Sequence, residues 1–162
     1  MHNTFDVTLS SVERCADHVF ALNLDCSANP MMYREGQFLA LELPGGHLRS
    51  YSLAAPCGDR GHLQLHVRAR ADGAMARWLA SGPAPGTPLR VHGPYGDCTW
   101  QAADQEGAIV MLATGTGIAP LYAMLLRELA GQGNAAVTLY WGGRVEDDLY
   151  LMQALRTNRR RR

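Results

Sequence analysis

The hydrophobic pattern of the chain changes near residue 100, and this change limits the folds open to it. Before that point, apolar residues come in short runs separated by Gly, Pro, Asn or Asp. After it, a continuous apolar run at 107–113 leads into a Gly-rich turn at 114–117 and then a helical pattern at 119–130. A continuous apolar run is typical of a strand buried on both faces. The sequence therefore predicts a β-rich unit followed by an α/β unit.

The first unit is predicted to contain six short strands and one helix. The strands are expected at residues 5–12, 18–25, 37–43, 49–54, 62–68 and 88–91. The helix is expected at residues 73–80, with Asp72 as its N-cap. Several short strands at this spacing favour a small antiparallel barrel or sandwich. Of the two we expect a six-stranded antiparallel barrel in residues 1–100.

The second unit is predicted to be a partial parallel α/β domain in residues 107–162, after a polar linker. Its strands are expected at 107–113 and 135–141, its helices at 119–130 and 147–155, and the linker at 101–106. Two parallel strands make a marginal sheet with an unpaired edge. We expect a partner chain or a second copy of this chain, as a homodimer, to cover that edge. The alternative is a truncated fragment.

Charge and composition exclude several classes of partner. The chain has 15 basic and 15 acidic residues, so nothing predicts binding to nucleic acid or to an anionic membrane. No apolar stretch is long enough to span a bilayer, and no secretory leader is visible. The four cysteines and six histidines show no metal-ligand spacing, so no metal site is predicted. Free thiols fit a reducing compartment, which predicts a cytoplasmic protein.

The segment Arg49-Ser50-Tyr51-Ser52 has residues that suit a flavin. Residues 49 and 51 face the same side of a strand, so Arg49 can bind a phosphate while Tyr51 stacks on an isoalloxazine ring. Ser52 lies near the strand end, where its hydroxyl or amide can reach flavin N5. The start of the 73–80 helix offers backbone N–H groups to a second phosphate. An ordinary strand with a surface arginine and a half-buried tyrosine is the alternative at this point.

The turn at residues 114–117 suits a nicotinamide nucleotide. Gly115 and Gly117 let the backbone approach a pyrophosphate, and the helix N-terminus faces its negative charge. Pro120 falls in the first helical turn, where its missing N–H costs nothing. A tight strand-to-helix connection that binds no ligand is the alternative. The dinucleotide fingerprint of ordinary dehydrogenases is incomplete here, since no acidic residue ends the second strand.

Taken in order, these segments resemble the ferredoxin–NADP reductase superfamily. The chain is similar over essentially its whole length to the flavin reductase components of bacterial oxygenases. The resemblance rests on Gly36-Gln37-Phe38, Arg49-Ser50-Tyr51-Ser52-Leu53, His66-Val67-Arg68, Gly73 to Leu79, Gly93-Pro94-Tyr95-Gly96 and Ala113-Thr114-Gly115-Thr116-Gly117-Ile118-Ala119-Pro120.

The resemblance implies a set of site residues. Tyr51 and Ser52 would lie beside the flavin ring as the catalytic pair. The flavin would also contact Arg49, Ser50, His66, Val67, Arg68, Gly73, Ala74, Met75 and Ala76. The nicotinamide nucleotide would contact Thr114, Gly115, Thr116, Gly117, Pro120 and Arg144. For Arg144 a surface loop position is the alternative. The imidazole of His66 is expected in solvent, with any flavin contact made by its backbone.

Two residues depart from the family pattern. Ala76 stands where a Ser or Thr hydroxyl is expected, and Cys98 stands where an aromatic residue is common. The family's nucleotide domain also continues past the segments found here.

The implied function is a reductase that passes electrons from NAD(P)H through FAD, with FMN as the alternative, to a separate protein. The chain has no closely spaced cysteines of the kind that hold an iron–sulfur cluster, so no fused iron–sulfur domain is expected. The electron acceptor would therefore be a separate ferredoxin or oxygenase component. A flavin-binding module without a working nicotinamide pocket, or a remnant that binds neither ligand, are the other readings.

Overall fold

The computed structural model describes residues 3–58, 61–100, 108–131 and 136–157. It contains one antiparallel sheet of six strands and one parallel sheet of two. The strands are β1 Thr4–Ala16, β2 Val19–Asp25, β3 Phe38–Leu43, β4 His47–Ser52, β5 His62–Arg68, β6 Pro88–Tyr95, β7 Ala108–Thr114 and β8 Ala136–Gly142. The helices are α1 Ala74–Ala80, α2 Ile118–Ala130 and α3 Met152–Thr157, with 3₁₀ turns at Gly115–Gly117 and Glu146–Asp148.

The six-stranded sheet confirms the predicted antiparallel β unit. Its strand order is β4-β3-β6-β1-β2-β5, and every pairing is antiparallel. The sheet curls until its two edges meet at a single bridge between Leu53 and Leu65. It is therefore barrel-like without a full ladder between β4 and β5. Alternate residues of the strands face inward and form the core, in which the fully buried leucines are Leu9, Leu22, Leu24, Leu39, Leu41, Leu43, Leu53, Leu63 and Leu65.

Two strands are longer than their apolar patterns predict. β1 runs from Thr4 to Ala16, and β6 continues to Tyr95. The first part of β1 pairs with β6 and the rest pairs with β2, with two irregularities in register. Pairing to two neighbours extends the strand through polar residues that the sequence pattern alone does not assign to it.

The predicted N-cap of α1 is wrong by one residue. Gly73 is the N-cap, with φ −82° and ψ 155°, and no side chain caps this helix. The main-chain oxygen of Asp72 instead accepts a hydrogen bond of 2.7 Å from the Arg77 guanidinium. Ala74, Met75 and Trp78 are buried, so the helix is held by its apolar face and not by a capping side chain.

The α/β unit forms as predicted in outline, but β7 is buried on one face only. β7 and β8 pair in parallel, with Met111 opposite Leu139. α2 packs against β7, and Met111 is 5% exposed, whereas Val110 and Leu112 are 61% and 72% exposed. The prediction of burial on both faces is therefore wrong, because no described element covers the second face of this sheet.

The single helix predicted at 147–155 is also wrong. A 3₁₀ turn at Glu146–Asp148 and the short helix α3 take its place. The Asp148 side chain accepts a hydrogen bond from the backbone N–H of Arg144, a local bond of the kind that competes with helix formation.

Some predictions fall outside the described residues. These are the linker at 101–106, residues Gly107 and Ala135 at the starts of two strands, and the basic tail at 159–162. Within the part of the chain that is described, no helix has the length and apolar character needed to cross a membrane.

Candidate functional site

The predicted flavin residues on β4 lie at one edge of the barrel. In the register of β3 with β4, Tyr51 is opposite the buried Leu39 and Arg49 is opposite Leu41. Tyr51 is half-buried and packs against the core, while Arg49 is exposed. The Arg49 guanidinium donates one bond of 2.8 Å to the Leu48 carbonyl, which uses one of its five N–H donors. This geometry gives a ring anchored at its base beside an accessible positive charge.

The Tyr51 phenol is neutral near pH 7, and its surroundings move its pKa further upward. Burial raises its pKa, and the nearby charge of Arg49 opposes that shift only in part. A neutral phenol offers a flat face and a hydrogen-bond donor, and it places no negative charge beside a ring that has to accept a hydride. This is the character that a flavin wall requires.

Ser50 and Ser52 project from the other side of the strand. Ser52 is the last residue of β4 and pairs with Phe38, which also pairs with Tyr95. The rings of Phe38 and Tyr95 lie 5.5 Å apart at an angle of 40°. Ser52 therefore ends its strand next to an aromatic pair, on the face opposite the Tyr51 side chain.

The start of α1 packs on β3, the strand next to β4. A Cβ added at Gly73 would lie 3.0 Å from the Arg70 carbonyl oxygen, so this close approach favours glycine. Ala74 and Met75 are buried in the core, and Ala76 is half-buried and brings no hydroxyl. No side chain caps this helix, so its first backbone N–H groups have no side-chain partner there.

The prediction that the His66 imidazole lies in solvent is wrong. His66 is 6% exposed, and its Nδ1 lies 3.0 Å from the hydroxyl of Tyr150. Burial lowers the pKa of His66 to about 4, so the ring is neutral near pH 7. Its side chain faces the α/β unit because the alternation along β5 puts Val67 into the barrel core, where it is fully buried.

The Arg68 side chain also leaves the barrel and reaches the α/β unit. Its Nη2 lies 2.7 Å from Oδ1 of Asp148. A Cβ added at Gly115 would lie 3.1 Å from the same Nη2, and Gly115 has φ +51°. The guanidinium therefore rests against the Gly-rich turn, at a position where a larger residue would have to displace it.

A cleft of about 480 Å³ opens at this place between the barrel and the α/β unit. Its lining is Arg68, Thr114, Gly115, Thr116, Gly142, Gly143, Arg144 and Asp148. The cleft brings together four residues predicted for the nucleotide, namely Thr114, Gly115, Thr116 and Arg144. It also contains Arg68, which the resemblance assigns to the flavin.

Two other predicted nucleotide residues do not line this cleft. Gly117 is the N-cap of α2, and no side chain caps that helix. Pro120 is the third residue of α2 and half-buried, in the first turn as expected. The Ile118 N–H at this helix start is already bonded to the Gly115 and Thr116 carbonyls, and Pro120 shapes the helix start.

Sequence reasoning missed Asp148. It is 8% exposed, and its two carboxylate oxygens accept bonds from the Arg68 guanidinium and, at 2.9 Å, from the backbone N–H of Arg144. Those bonds lower the pKa of Asp148, with the Arg68 bond as the larger cause. A Cβ at Gly143 would lie 2.6 Å from Cβ of Asp148. The one signal in the sequence was the pair Gly142-Gly143, which comes shortly before the acidic segment at residues 146–148.

Sequence reasoning also missed Tyr150 and Trp141. The Tyr150 ring meets the Trp141 ring edge-on at 5.5 Å, and the His66 ring edge-on at 5.4 Å. The Trp141 indole N–H donates a bond of 2.9 Å to the Gly115 carbonyl. A chain of contacts therefore links the Gly-rich turn to β5. The positions of Tyr150 and Trp141 in the sequence did not indicate that they would contact His66 and the Gly115 turn, respectively.

Two domain families match the chain. The oxidoreductase FAD-binding domain family matches residues 6–100, and the oxidoreductase NAD-binding domain family matches residues 111–162. The expectation of a flavin and a nicotinamide cofactor is confirmed at the level of these families.

Relatives of known function are reductase components. The chain is 38% identical over 128 residues to the reductase subunit of the aromatic O-demethylase of Amycolatopsis sp., which covers 76% of this chain and 38% of the relative. It is 31% identical over 157 residues to the reductase component of the propane 2-monooxygenase of Gordonia sp., which covers 94% of this chain and 45% of the relative. The chain spans less than half the length of these relatives.

Solved structures agree with these matches. The Amycolatopsis cytochrome P450 reductase GcoB superposes with a TM-score of 0.85 at 32% identity, over 98% of this chain and 49% of that one. Phthalate dioxygenase reductase shares the fold, with a TM-score of 0.81 at 20% identity over 94% of this chain and 48% of that one. Because the FAD-binding family alone matches residues 6–100 of 162, and the fold agrees, the chain belongs to the ferredoxin–NADP reductase superfamily.

Proposed function

We propose that the chain is the flavin- and nucleotide-binding part of a reductase that passes electrons from NAD(P)H through FAD to a separate protein. The observation that carries this proposal is the cleft beside Gly115, where residues of the barrel and of the α/β unit meet. Such a cleft lets a nucleotide bound at the turn extend towards a flavin held on the barrel. The names of the relatives, which include reductases of oxygenase systems, support an oxygenase or ferredoxin as the acceptor.

The cleft has the charge that a pyrophosphate needs. Arg68 and Arg144 both line it, and so does the turn at Gly115. Asp148 offsets part of this charge, but its two oxygens are already engaged by Arg68 and by the backbone of Arg144. Arg68 has donors beyond the one that Asp148 accepts, and these remain for a phosphate.

On the barrel, Arg49 and the backbone at the start of α1 would hold the flavin phosphates, and Tyr51 would pack on the ring. Ser52, at the end of β4, would lie near the reacting edge of the ring. When bound, the flavin supplies the redox chemistry, accepting a hydride and releasing single electrons. The residues of this chain bind and orient it, and the neutral Tyr51 shields one of its faces from water.

The flavin site is tested by the variant Arg49→Ala. Loss of a charge-assisted bond to phosphate should weaken FAD binding about tenfold in a fluorescence titration of the apoprotein. Arg90→Ala is the matched control, because Arg90 lies on β6 of the same barrel beside Asp6 and Glu42. If the two variants bind FAD with equal affinity, Arg49 is not part of the flavin site. FMN in place of FAD in the same titration decides which flavin the barrel prefers.

The nucleotide site is tested by reduction of the bound flavin. Anaerobic addition of NADH, and separately of NADPH, should bleach the flavin absorbance of the holoprotein. A yellow protein inert to both nucleotides would instead be a flavin-binding module without a working nicotinamide site. A colourless chain that takes up neither FAD nor FMN would contradict the whole proposal.

The exposed face of the two-stranded sheet is a candidate surface for contact with a second protein chain. Val110, Leu112 and Tyr140 are all at least 61% exposed there. The sequence led us to expect a second copy of the chain at the unpaired edge of this sheet, and we propose that the second copy also covers this face. Sedimentation velocity should then give a dimer that Leu112→Glu converts to a monomer. A wild-type monomer at every concentration would contradict the dimer and leave the electron-transfer proposal unaffected. The free thiols of all four cysteines fit our proposal of a cytoplasmic location.

A further inference from the structure

Among the described residues, the segment after β8 makes two side-chain hydrogen bonds to β5 of the barrel. Asp148 holds Arg68, and Tyr150 contacts His66. We name these two contacts the β5 clamp. We propose that Asp148 and Tyr150 are positioning residues that fix the Gly115 turn against β5, and so set the geometry of the nucleotide cleft. The consequence for nucleotide binding rests on the proposed function.

The first contact fixes the direction of a guanidinium. Arg68 is 27% exposed and the Asp148 side chain 11%, so the pair is mostly shielded from solvent. The second Asp148 oxygen is held by the Arg144 backbone, which ties the carboxylate to the loop after β8. With the carboxylate fixed from the loop side, Arg68 has one preferred orientation, in which it lies against Gly115 and borders the cleft.

The second contact joins two neutral rings. His66 and Tyr150 are both largely shielded from water, which favours the uncharged form of each. The Tyr150 hydroxyl lies 3.0 Å from Nδ1 of His66, and it donates to that nitrogen in the tautomer that carries its proton on Nε2; the edge-on ring contact adds to this bond. Neither ring requires a counter-ion, so the contact holds across the neutral pH range.

The two contacts reach the nucleotide turn by different routes. Arg68 touches Gly115 directly, whereas Tyr150 acts through Trp141, whose indole N–H holds the Gly115 carbonyl. The turn is therefore bound from both sides by groups that the clamp orients. If either contact is lost, the turn loses its fixed distance from β5, and a bound nicotinamide loses its alignment with the barrel.

The test uses two conservative variants, each with a matched control in the α/β unit. Asp148→Asn removes the charge that holds Arg68, and Tyr150→Phe removes the hydroxyl and keeps the ring. The controls are Asp147→Asn and Tyr140→Phe, which change the same residue types at exposed positions.

We expect hydrogen–deuterium exchange to quicken in the peptide that contains the Gly115 turn for both clamp variants, and to stay unchanged in the controls. In holoprotein, KM for the nucleotide that bleaches the flavin should rise about fivefold or more, with FAD affinity unchanged. Because Tyr150→Phe keeps the packed ring, a change in this variant reports the hydroxyl bond and not a loss of folding.

The outcomes separate this inference from the proposed function. Faster exchange in the clamp variants of a chain whose flavin neither nucleotide bleaches would support the clamp and contradict the proposed reductase. Bleaching in the wild type with clamp variants identical to their controls, in exchange and in KM, would overturn the clamp and leave the reductase standing.

Discussion

The barrel and the α/β unit are held together by different means. Leu41 and Leu65 of the barrel are fully buried, as are the other leucines that face its interior. In the α/β unit, Leu112 is 72% exposed and Tyr140 is 61% exposed. The barrel therefore obtains its stability from its own core. The α/β unit depends more on what it contacts, and its described contacts with β5 are polar and aromatic.

The largest expected effect contrasts one leucine from each unit. Leu41→Ala should lower the free energy of unfolding by about 3 kcal/mol, because it removes buried surface and leaves a cavity. Leu112→Ala should change it by no more than about 0.5 kcal/mol at a protein concentration that keeps the chain monomeric, since Leu112 is then exposed. Urea unfolding followed by circular dichroism measures both. A large loss for Leu112→Ala in the monomer would show that the α/β unit itself buries this face, and the contrast between the units would fail.

The next effect lies where the two units meet. Gly36 has φ +103°, and a Cβ there would lie 2.0 Å from the Cys98 carbonyl oxygen and 2.4 Å from Cε of Met124 on α2. Gly36→Ala should therefore cost about 3 kcal/mol, from backbone strain plus displacement of a main-chain atom.

Gly46→Ala is the control for that experiment. Gly46 has φ +78° with nothing within 4 Å of the added Cβ, so it should cost only the strain, about 1 kcal/mol. The difference between the two variants isolates the close packing around Gly36. If the two losses of stability are equal, the barrel is not tightly packed against α2 at this point.

The sequence predicted the barrel better than the junction between the units. Alternation along β3 and β5 marks which leucines face inward, because burial in a sheet repeats every second residue. The roles of His66 and Arg68 could not be read in the same way, since their partners Asp148 and Tyr150 lie some 80 residues away in sequence. A solvent-facing histidine and a buried one have the same local pattern until the covering segment is known.

Helix prediction failed in the second unit for a related reason. Residues 147–155 carry apolar residues at helical spacing, but Asp148 is held by Arg68 and by the backbone of Arg144. A side chain held by one tertiary bond and one local bond to the backbone ends the local helix, and the helix propensity of its neighbours does not reverse this. The candidate residues on β4, by contrast, lie on the strand where the sequence expected them.

A third effect comes from pH and tests the junction alone. Protonation of His66 is favoured in the unfolded chain below pH 6.5 and in the folded chain only below about pH 4. Between these values the unfolded state binds more protons, so stability falls as the pH is lowered. The groups facing His66 are the Tyr150 hydroxyl and, through Tyr150, the charge of Arg68 and the Cys15 thiol.

The expected size of this effect is about 2 kcal/mol between pH 7.5 and pH 5. Over this pH range the free energy of unfolding should fall further in the wild type than in the His66→Gln variant, because glutamine cannot take up a proton. Urea unfolding at the two pH values measures the difference. Parallel losses in the two proteins would mean that His66 titrates alike in both states, and that the clamp leaves it accessible to water.

The smallest effect is expected from an ion pair on the surface of the barrel. Asp17, in the turn between β1 and β2, pairs with Arg14, and both side chains are more than 60% exposed. Solvent screens such a pair, so Asp17→Asn should change the free energy of unfolding by no more than about 0.5 kcal/mol. Asp148→Asn should have the larger effect of the two, because its pair with Arg68 is shielded and joins separate units. Added salt should weaken the first pair more than the second. If the two variants respond alike to salt, the Arg68–Asp148 pair is as open to solvent as a surface turn, and it cannot orient Arg68 at the cleft.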